Sequence, residues 1–215
     1  MRIEIGVFVS CLVLSLISCS QPEELPFFNS AELEPEWISS SSLSFKKIHK
    51  IYDFQFVDQD SNLVTNKDFD GHLYVTDFFF TTCPSICPKM TNNMLLLQDT
   101  YKDFSEVKFL SHTVTPWIDT VGQLKAYANK KGIISGKWHL VTGDENKIYE
   151  QARTAYFVEG KIGMQKEVDD FVHTENFVLV DANRRIRGIY NGTSDRDIDR
   201  LKEDIDTLIE SMNKS

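Results

Sequence analysis

Leu73-Tyr74-Val75-Thr76-Asp77-Phe78-Phe79-Phe80-Thr81-Thr82-Cys83-Pro84-Ser85-Ile86-Cys87-Pro88-Lys89-Met90 is the stretch on which the fold turns. Its first eight residues are nearly all apolar or aromatic, broken only by Thr76 and Asp77. That pattern suits a central strand buried on both faces. Helical character follows from Met90 to Tyr101, so the cysteines sit where a buried strand hands over to a helix. Such junctions lie at the carboxyl ends of strands, where α/β folds place their sites. With a helix starting near Pro84 or Ser85, Cys83 lies at or before its first turn, where unpaired N–H groups and the helix dipole favour a thiolate. Pro84 fits an early helical position, because the N–H it lacks would be unbonded there anyway. Pro88 predicts an irregular first turn. Two thiolates on one short loop chelate one soft metal ion or close a strained, reducible disulfide. A structural bridge over so few residues adds little stability by loop closure.

Outward from this stretch, strand and helix patterns alternate. Upstream, Ile51 to Val57 alternates as a half-buried strand, and the turn cluster Asp58 to Asn62 with Leu63-Val64-Thr65 closes a hairpin. Downstream come a strand at Val107 to Val114, and a helix from Thr120 to Lys131 with Thr120 as N-cap and Gly132 past its end. A strand at Trp138 to Thr142 and a short helix through Arg153 follow. Strands at Phe177 to Asp181 and Ile186 to Tyr190 flank an Asn183-Arg184 turn. Thr193-Ser194-Asp195 opens a last helix, in which Ile198, Leu201, Ile205, Leu208 and Ile209 recur at helical spacing. The alternation predicts an α/β domain: a central mixed sheet flanked by helices, with an N-terminal β-hairpin.

The chain has 215 residues, with 23 Lys+Arg against 32 Asp+Glu and a formal net charge of −9. No basic stripe occurs, so nucleic acid is not an expected partner. Ile5 to Ser18 is an apolar run closed by Cys19. It is too short to span a bilayer comfortably and fits the core of an export signal. Leu16-Ile17-Ser18-Cys19 resembles a bacterial lipobox, which assigns residues 1–18 to a lipoprotein signal peptide and Cys19 to lipidation. The acyl chains would tether the protein to a membrane of the cell envelope without spanning it, the domain facing the periplasm. Residues 19–48, with Pro22, Pro26, Pro35 and the serines 39–42, read as a flexible linker, or as an extension packed on the domain through Phe27, Phe28 and Trp37. Residues 49–215 are the expected domain. Once Cys11 has left with the signal and Cys19 carries the lipid, only Cys83 and Cys87 remain in it. In an oxidising compartment such a pair is a disulfide, a metal site or a redox couple.

A metal site needs a third ligand, and His49, His72, His112, His139 and His173 are the candidates. His173 stands apart, in Asp169-Asp170-Phe171-Val172-His173-Thr174-Glu175-Asn176 just before the strand Phe177 to Asp181. The run Cys83-Pro84-Ser85-Ile86-Cys87-Pro88 resembles the Cys-Pro-x-x-Cys-Pro signature of the SCO (SCO1/SenC) family, and His173 with Thr174 resembles that family's distal histidine. Thr142-Gly143-Asp144 and Ala155-Tyr156-Phe157-Val158 add to the likeness, which covers about residues 50 to 212.

The resemblance implies a thioredoxin-like fold that binds one copper, as Cu(I) or Cu(II), through Cys83, Cys87 and His173. It implies a copper chaperone or assembly factor for the binuclear copper centre of cytochrome c oxidase. The implied partner is the oxidase's copper-bearing subunit or another cuproprotein. The alternative is a thiol-disulfide oxidoreductase in which Cys83 attacks and Cys87 resolves. Against it, dedicated oxidoreductases of this fold usually hold two residues between the cysteines, and here there are three. Many members carry an acidic residue where this chain has Thr115, before Pro116, which points to Asp119 as a substitute. Structural zinc would want a fourth ligand, and none is obvious: His112 or Asp119 could be near, but His112 and His139 read as ordinary hydrogen-bonded strand residues. Met90 and Met94 read as helix core, and Met164 as a weaker ligand candidate.

Overall fold

A computed structural model of the chain describes residues 24–158 and 175–214. The signal run 1–18, Cys19, Met164 and His173 lie outside the described residues. In chain order the elements are β1 (Phe27–Phe28), β2 (Pro35–Glu36), a 3-10 turn (Leu43–Lys47), β3 (Gln55–Asp58), β4 (Leu63–Thr65) and a second 3-10 turn (Asn66–Phe69). Then come β5 (Leu73–Phe79), α1 (Ile86–Tyr101), β6 (Val107–Thr113), α2 (Val121–Lys131), β7 (Trp138–Thr142) and α3 (Glu145–Glu150), which runs on as a π-helical turn (Gln151–Ala155). β8 (Asn176–Val180), β9 (Ile186–Asn191) and α4 (Asp195–Asn213) complete the described chain.

Seven strands form one mixed sheet in the order β4-β3-β7-β6-β5-β8-β9. β5, β6 and β7 are parallel at its centre. β3 joins β7 antiparallel on one side, and β8 joins β5 antiparallel on the other. All seven residues of β5 are buried, as its unbroken apolar run requires. Alternation along the strand sends Leu73, Val75 and Phe79 into a layer shared with α1, α2 and α4. Tyr74 and Phe78 point into the opposite layer, closed by α3, the π turn and Phe54 and Phe56. Among the described residues both layers are built from Leu25 onward, so the chain from residue 20 onward contains both.

The Thr120, Gly132 and Ser194 signals act where the sequence puts them, and Asp144 adds a cap beyond those expected. Thr120 accepts from the Gln123 amide, Asp144 from Lys147 and Ser194 from Asp197, and Gly132 leaves α2 with φ +77°. Two boundaries differ from expectation. The strand read from Ile51 begins at Gln55, because Ile51 spends its amide on the Arg184 carbonyl instead of a neighbouring strand. α1 begins at Ile86, four residues before Met90, so Pro88 stands inside its first turn. The missing N–H costs nothing there, since the first four amides of a helix have no partner within it.

From Glu24 the stretch expected as a linker lies against the domain. Phe27 is buried, with the Arg187 guanidinium 4.1 Å from its ring centroid and that of Arg185 5.0 Å away. Arg187 also donates to the Pro26 carbonyl at 3.0 Å and to the Leu25 carbonyl at 2.5 Å. Asp181 holds both arginines. β1 thus lies along β9, at the sheet edge, while Trp37 stays exposed.

Gly188 shows how tightly that edge is packed. The Tyr190 ring lies across it, buried, with its hydroxyl donating to Asp204 at 2.6 Å, and a methyl group on Gly188 would overlap the ring. Gly188→Ala is expected to cost about 2–3 kcal/mol, the upper range for overpacking. Urea unfolding measures it, and a midpoint unchanged from the parent's would mean that the ring is free to swing aside.

Candidate metal centre

Cys83 lies in the connection between β5 and α1, and Cys87 in the first turn of α1. The Cys83 amide donates to the Phe80 carbonyl at 3.3 Å, closing a turn that lifts Cys83 off the sheet. Ser85, the N-cap of α1, makes no side-chain cap bond. The Cys83 sulfur fills that role and receives the Cys87 amide at 3.4 Å. Both cysteines are free thiols, Cys87 buried and Cys83 half-buried.

Their environments divide the pair. Burial pushes the Cys83 thiol up, but the Cys87 thiol and the amides of Ser85, Cys87 and Ile86 outweigh it and hold Cys83 below the ordinary thiol range. Burial pushes Cys87 up to about 12, helped by its hydrogen bond to Cys83 and by the charges of Cys83 and Asp77. Cys83 is therefore the sulfur ready to bond, and Cys87 the one that keeps its proton until a metal ion or a disulfide claims it.

Beneath the pair, on the same side of the sheet, is Asp77. It stands opposite Ser111 in the parallel ladder, and the Ser111 hydroxyl donates to its carboxyl at 2.5 Å. The Trp138 indole N–H donates to Ser111 at 2.9 Å. Burial pushes the Asp77 carboxyl up to about 7. In the sequence Asp77 is only an interruption in a strand pattern. The available signal was a lone carboxyl in a run apolar on both faces, which is rarely buried without a reason.

Four of the five candidate histidines are engaged elsewhere. His49 Nε2 is 2.8 Å from the Ala155 carbonyl, His72 Nδ1 is 3.0 Å from the Asp70 carbonyl, and His139 Nδ1 is 2.9 Å from Asp58. His112, read as an ordinary strand residue that could come near the site, is on the opposite side of the sheet. It is fully buried, stacked on Phe78 at 4.7 Å, and pushed down to about 3 by burial. Asp119 is not a free ligand either, because its buried carboxylate is taken up by the side chains of Thr81, Thr113 and Thr115. Thr115 thus serves Asp119. Among the described residues no group of three or more His, Cys, Asp or Glu side chains is arranged to hold a metal ion. Met90 and Met94 are core residues, as expected.

The fifth histidine, His173, lies outside the described residues, three positions before β8 begins. β8 pairs antiparallel with β5, Tyr74 opposite Val180 and Thr76 opposite Val178, so its first residues lie at the sheet end where β5 gives way to the cysteines. Glu175, described next to that end, is two positions after His173. A cavity of about 420 Å³ opens between the start of β3 and α3, lined by Tyr52, Phe54, Phe56, Lys147 and Gln151, and includes neither cysteine.

The SCO1/SenC family model matches residues 44–210. The crystal structure of a SCO1/SenC family lipoprotein from Bacillus anthracis is 29% identical, covers 80% of this chain and 99% of its own, and superposes with a TM-score of 0.65. BsSco, described through its disulfide switch as a member of the Sco family of cytochrome c oxidase assembly proteins, is 29% identical over 74% of this chain and 93% of its own, with a TM-score of 0.63. ScoI from Bradyrhizobium japonicum, solved with copper bound, is 25% identical over 73% and 98%, with a TM-score of 0.57. The sheet and its helices therefore have the thioredoxin-like form of these structures.

Proposed function

The chain belongs to the SCO1/SenC family, and on that premise we propose that it is a membrane-tethered copper-binding protein that loads or prepares the binuclear copper centre of cytochrome c oxidase. The observation that carries this reading is the unequal pair of thiols, one exposed enough to be approached and one buried, at the amide-rich start of α1. Two sulfurs and one imidazole are soft to borderline donors that suit three-coordinate Cu(I). His173 is the proposed third ligand. The engagement of the other four histidines supports it, as does the return of β8 to the cysteine end. An ion held by three ligands with an open side passes to a partner by ligand exchange. The copper-bound relative and the assembly-protein relative support copper as the cargo and the oxidase as its destination. The tether proposed is a lipid on Cys19 in an envelope membrane, the domain facing the periplasm. The lipoprotein relative supports it.

The test is an anaerobic Cu(I) titration of the fully reduced chain from residue 20 onward, against a competing chelator. One copper per chain is expected, with affinity falling about ten- to a hundredfold in His173→Ala, the scale of disturbed metal coordination. Uptake by the parent no greater than by a variant lacking both thiols would end the copper reading. A thiol-disulfide role is the second reading, favoured by the split between Cys83 and Cys87. Loss of metal affinity in His173→Ala with retained dithiol reactivity toward a disulfide substrate would favour the copper reading over it, and equal metal binding in that variant would end the assignment of His173 as a ligand.

A further inference from the structure

The β5–β6 ladder ends where Phe79 stands opposite Thr113, with one more bond from the Val114 amide to the Phe79 carbonyl at 2.9 Å. Past that point both chains leave the sheet, one toward Cys83 and the other toward α2. Asp119 joins them. One of its carboxylate oxygens accepts the Thr113 hydroxyl at 2.5 Å, the Thr115 hydroxyl at 3.1 Å and the Thr81 amide at 3.1 Å. The other accepts the Thr81 hydroxyl at 2.5 Å, and that hydroxyl receives the Gln123 side-chain N–H at 3.1 Å. The carboxylate is fully buried.

A buried carboxylate is tolerable only while its donors converge on it, and charge-assisted bonds are the stronger kind. Thr113 and Thr115 reach Asp119 from its own side of the gap. Thr81 alone reaches it from the other side, with amide and hydroxyl together, inside the turn that Cys83 closes onto Phe80. Movement of that turn would strip two of four donors from a charge with no access to water. We propose that Asp119 is a positioning residue for the cysteine pair: through Thr81 it fixes the Phe80–Cys83 turn, and with it the place of the Cys83 sulfur over the amides that open α1. The inference rests on the reading of Cys83 as the working thiol.

The experiment uses the reduced, metal-free chain from residue 20 onward, in which Cys83 and Cys87 are the only cysteines. The second-order rate of reaction with the aromatic disulfide 5,5′-dithiobis(2-nitrobenzoate) is measured at pH 7, beside the urea midpoint. Thr81→Val and Thr115→Val each remove one hydroxyl from the same carboxylate, so a purely structural clamp makes them alike in both readouts. The expected result is a rate about tenfold lower in Thr81→Val, the scale of one hydrogen bond to a charged group. Thr115→Val should stay within about twofold of the parent, the two variants losing similar stability, while Thr81→Ser restores the parent rate. Equal rates in the two valine variants, a rise in Thr81→Val, or no rescue by Thr81→Ser would overturn the assignment. Should Thr81→Val fail to fold, Thr81→Ser against Thr81→Ala decides it by the same rate. Copper plays no part in the rate, so a parent that binds no copper sinks the copper reading and leaves this result standing.

Discussion

Cys83→Ser should lower Cu(I) affinity by more than about a hundredfold, because disturbing even the outer shell of a metal site costs 10–100-fold and this change removes a proposed ligand. A hydroxyl is a hard, weakly acidic donor where a soft thiolate is needed. The side chain it replaces is only half-buried and packs at the rim of the core, so the urea midpoint should hardly move. Loss of copper with the fold intact, measured by chelator competition beside urea unfolding, is the outcome expected of a ligand. Affinity equal to the parent's would remove Cys83 from the site.

Asp77→Asn should change how stability depends on pH. Folded Asp77 keeps its proton up to about pH 7, whereas its ordinary value is 3.8. The native state then binds the extra proton between those limits, and Asp77's contribution to stability is lost as pH rises through the window. His112 has the opposite sign. Its ordinary value is 6.5 and burial takes it down to about 3, so its contribution is lost as pH falls through that range. From about pH 4 to 6.5 the two nearly cancel in the parent. The Asn variant keeps an acceptor for Ser111 but has no proton to hold. Parent stability minus variant stability should fall by about 1.4 kcal/mol per pH unit from about pH 4 to 7, about 4 kcal/mol in all. Urea unfolding at a series of pH values reads this difference, from which His112 and the surface groups drop out. A flat difference would mean that Asp77 is charged in the fold.

What could be read from the sequence was local. The buried run from Leu73, the cap Thr120, the Thr193-Ser194-Asp195 opening of the last helix and Gly132 declare themselves within a few residues, and the structure agrees, with the strand ending at Phe79, one residue before the half-buried Phe80. The two cysteines were legible for the same reason, being four apart at a strand–helix junction. Pairings between distant elements were not. Asp77 meets Ser111 and Trp138 because β5, β6 and β7 are parallel and in register, and nothing near Asp77 in sequence announces that. Asp119 looked like a spare ligand because its neighbours Thr113 and Thr115 are unremarkable as sequence. Its burial follows from Thr81, 38 residues away. The late start of β3 has a similar origin, in an Arg184 carbonyl from the far side of the chain.

The grip of Arg185 and Arg187 on Phe27 sets the length of a leash. Arg187 pins the chain at the Leu25 carbonyl, six residues after Cys19, the proposed lipid site. Fully stretched, six residues reach about 20 Å. Were Cys19 lipidated as proposed, the β9 edge would be held within that radius of the bilayer, and delivery would become a two-dimensional search among recipients in the same membrane or seated on it.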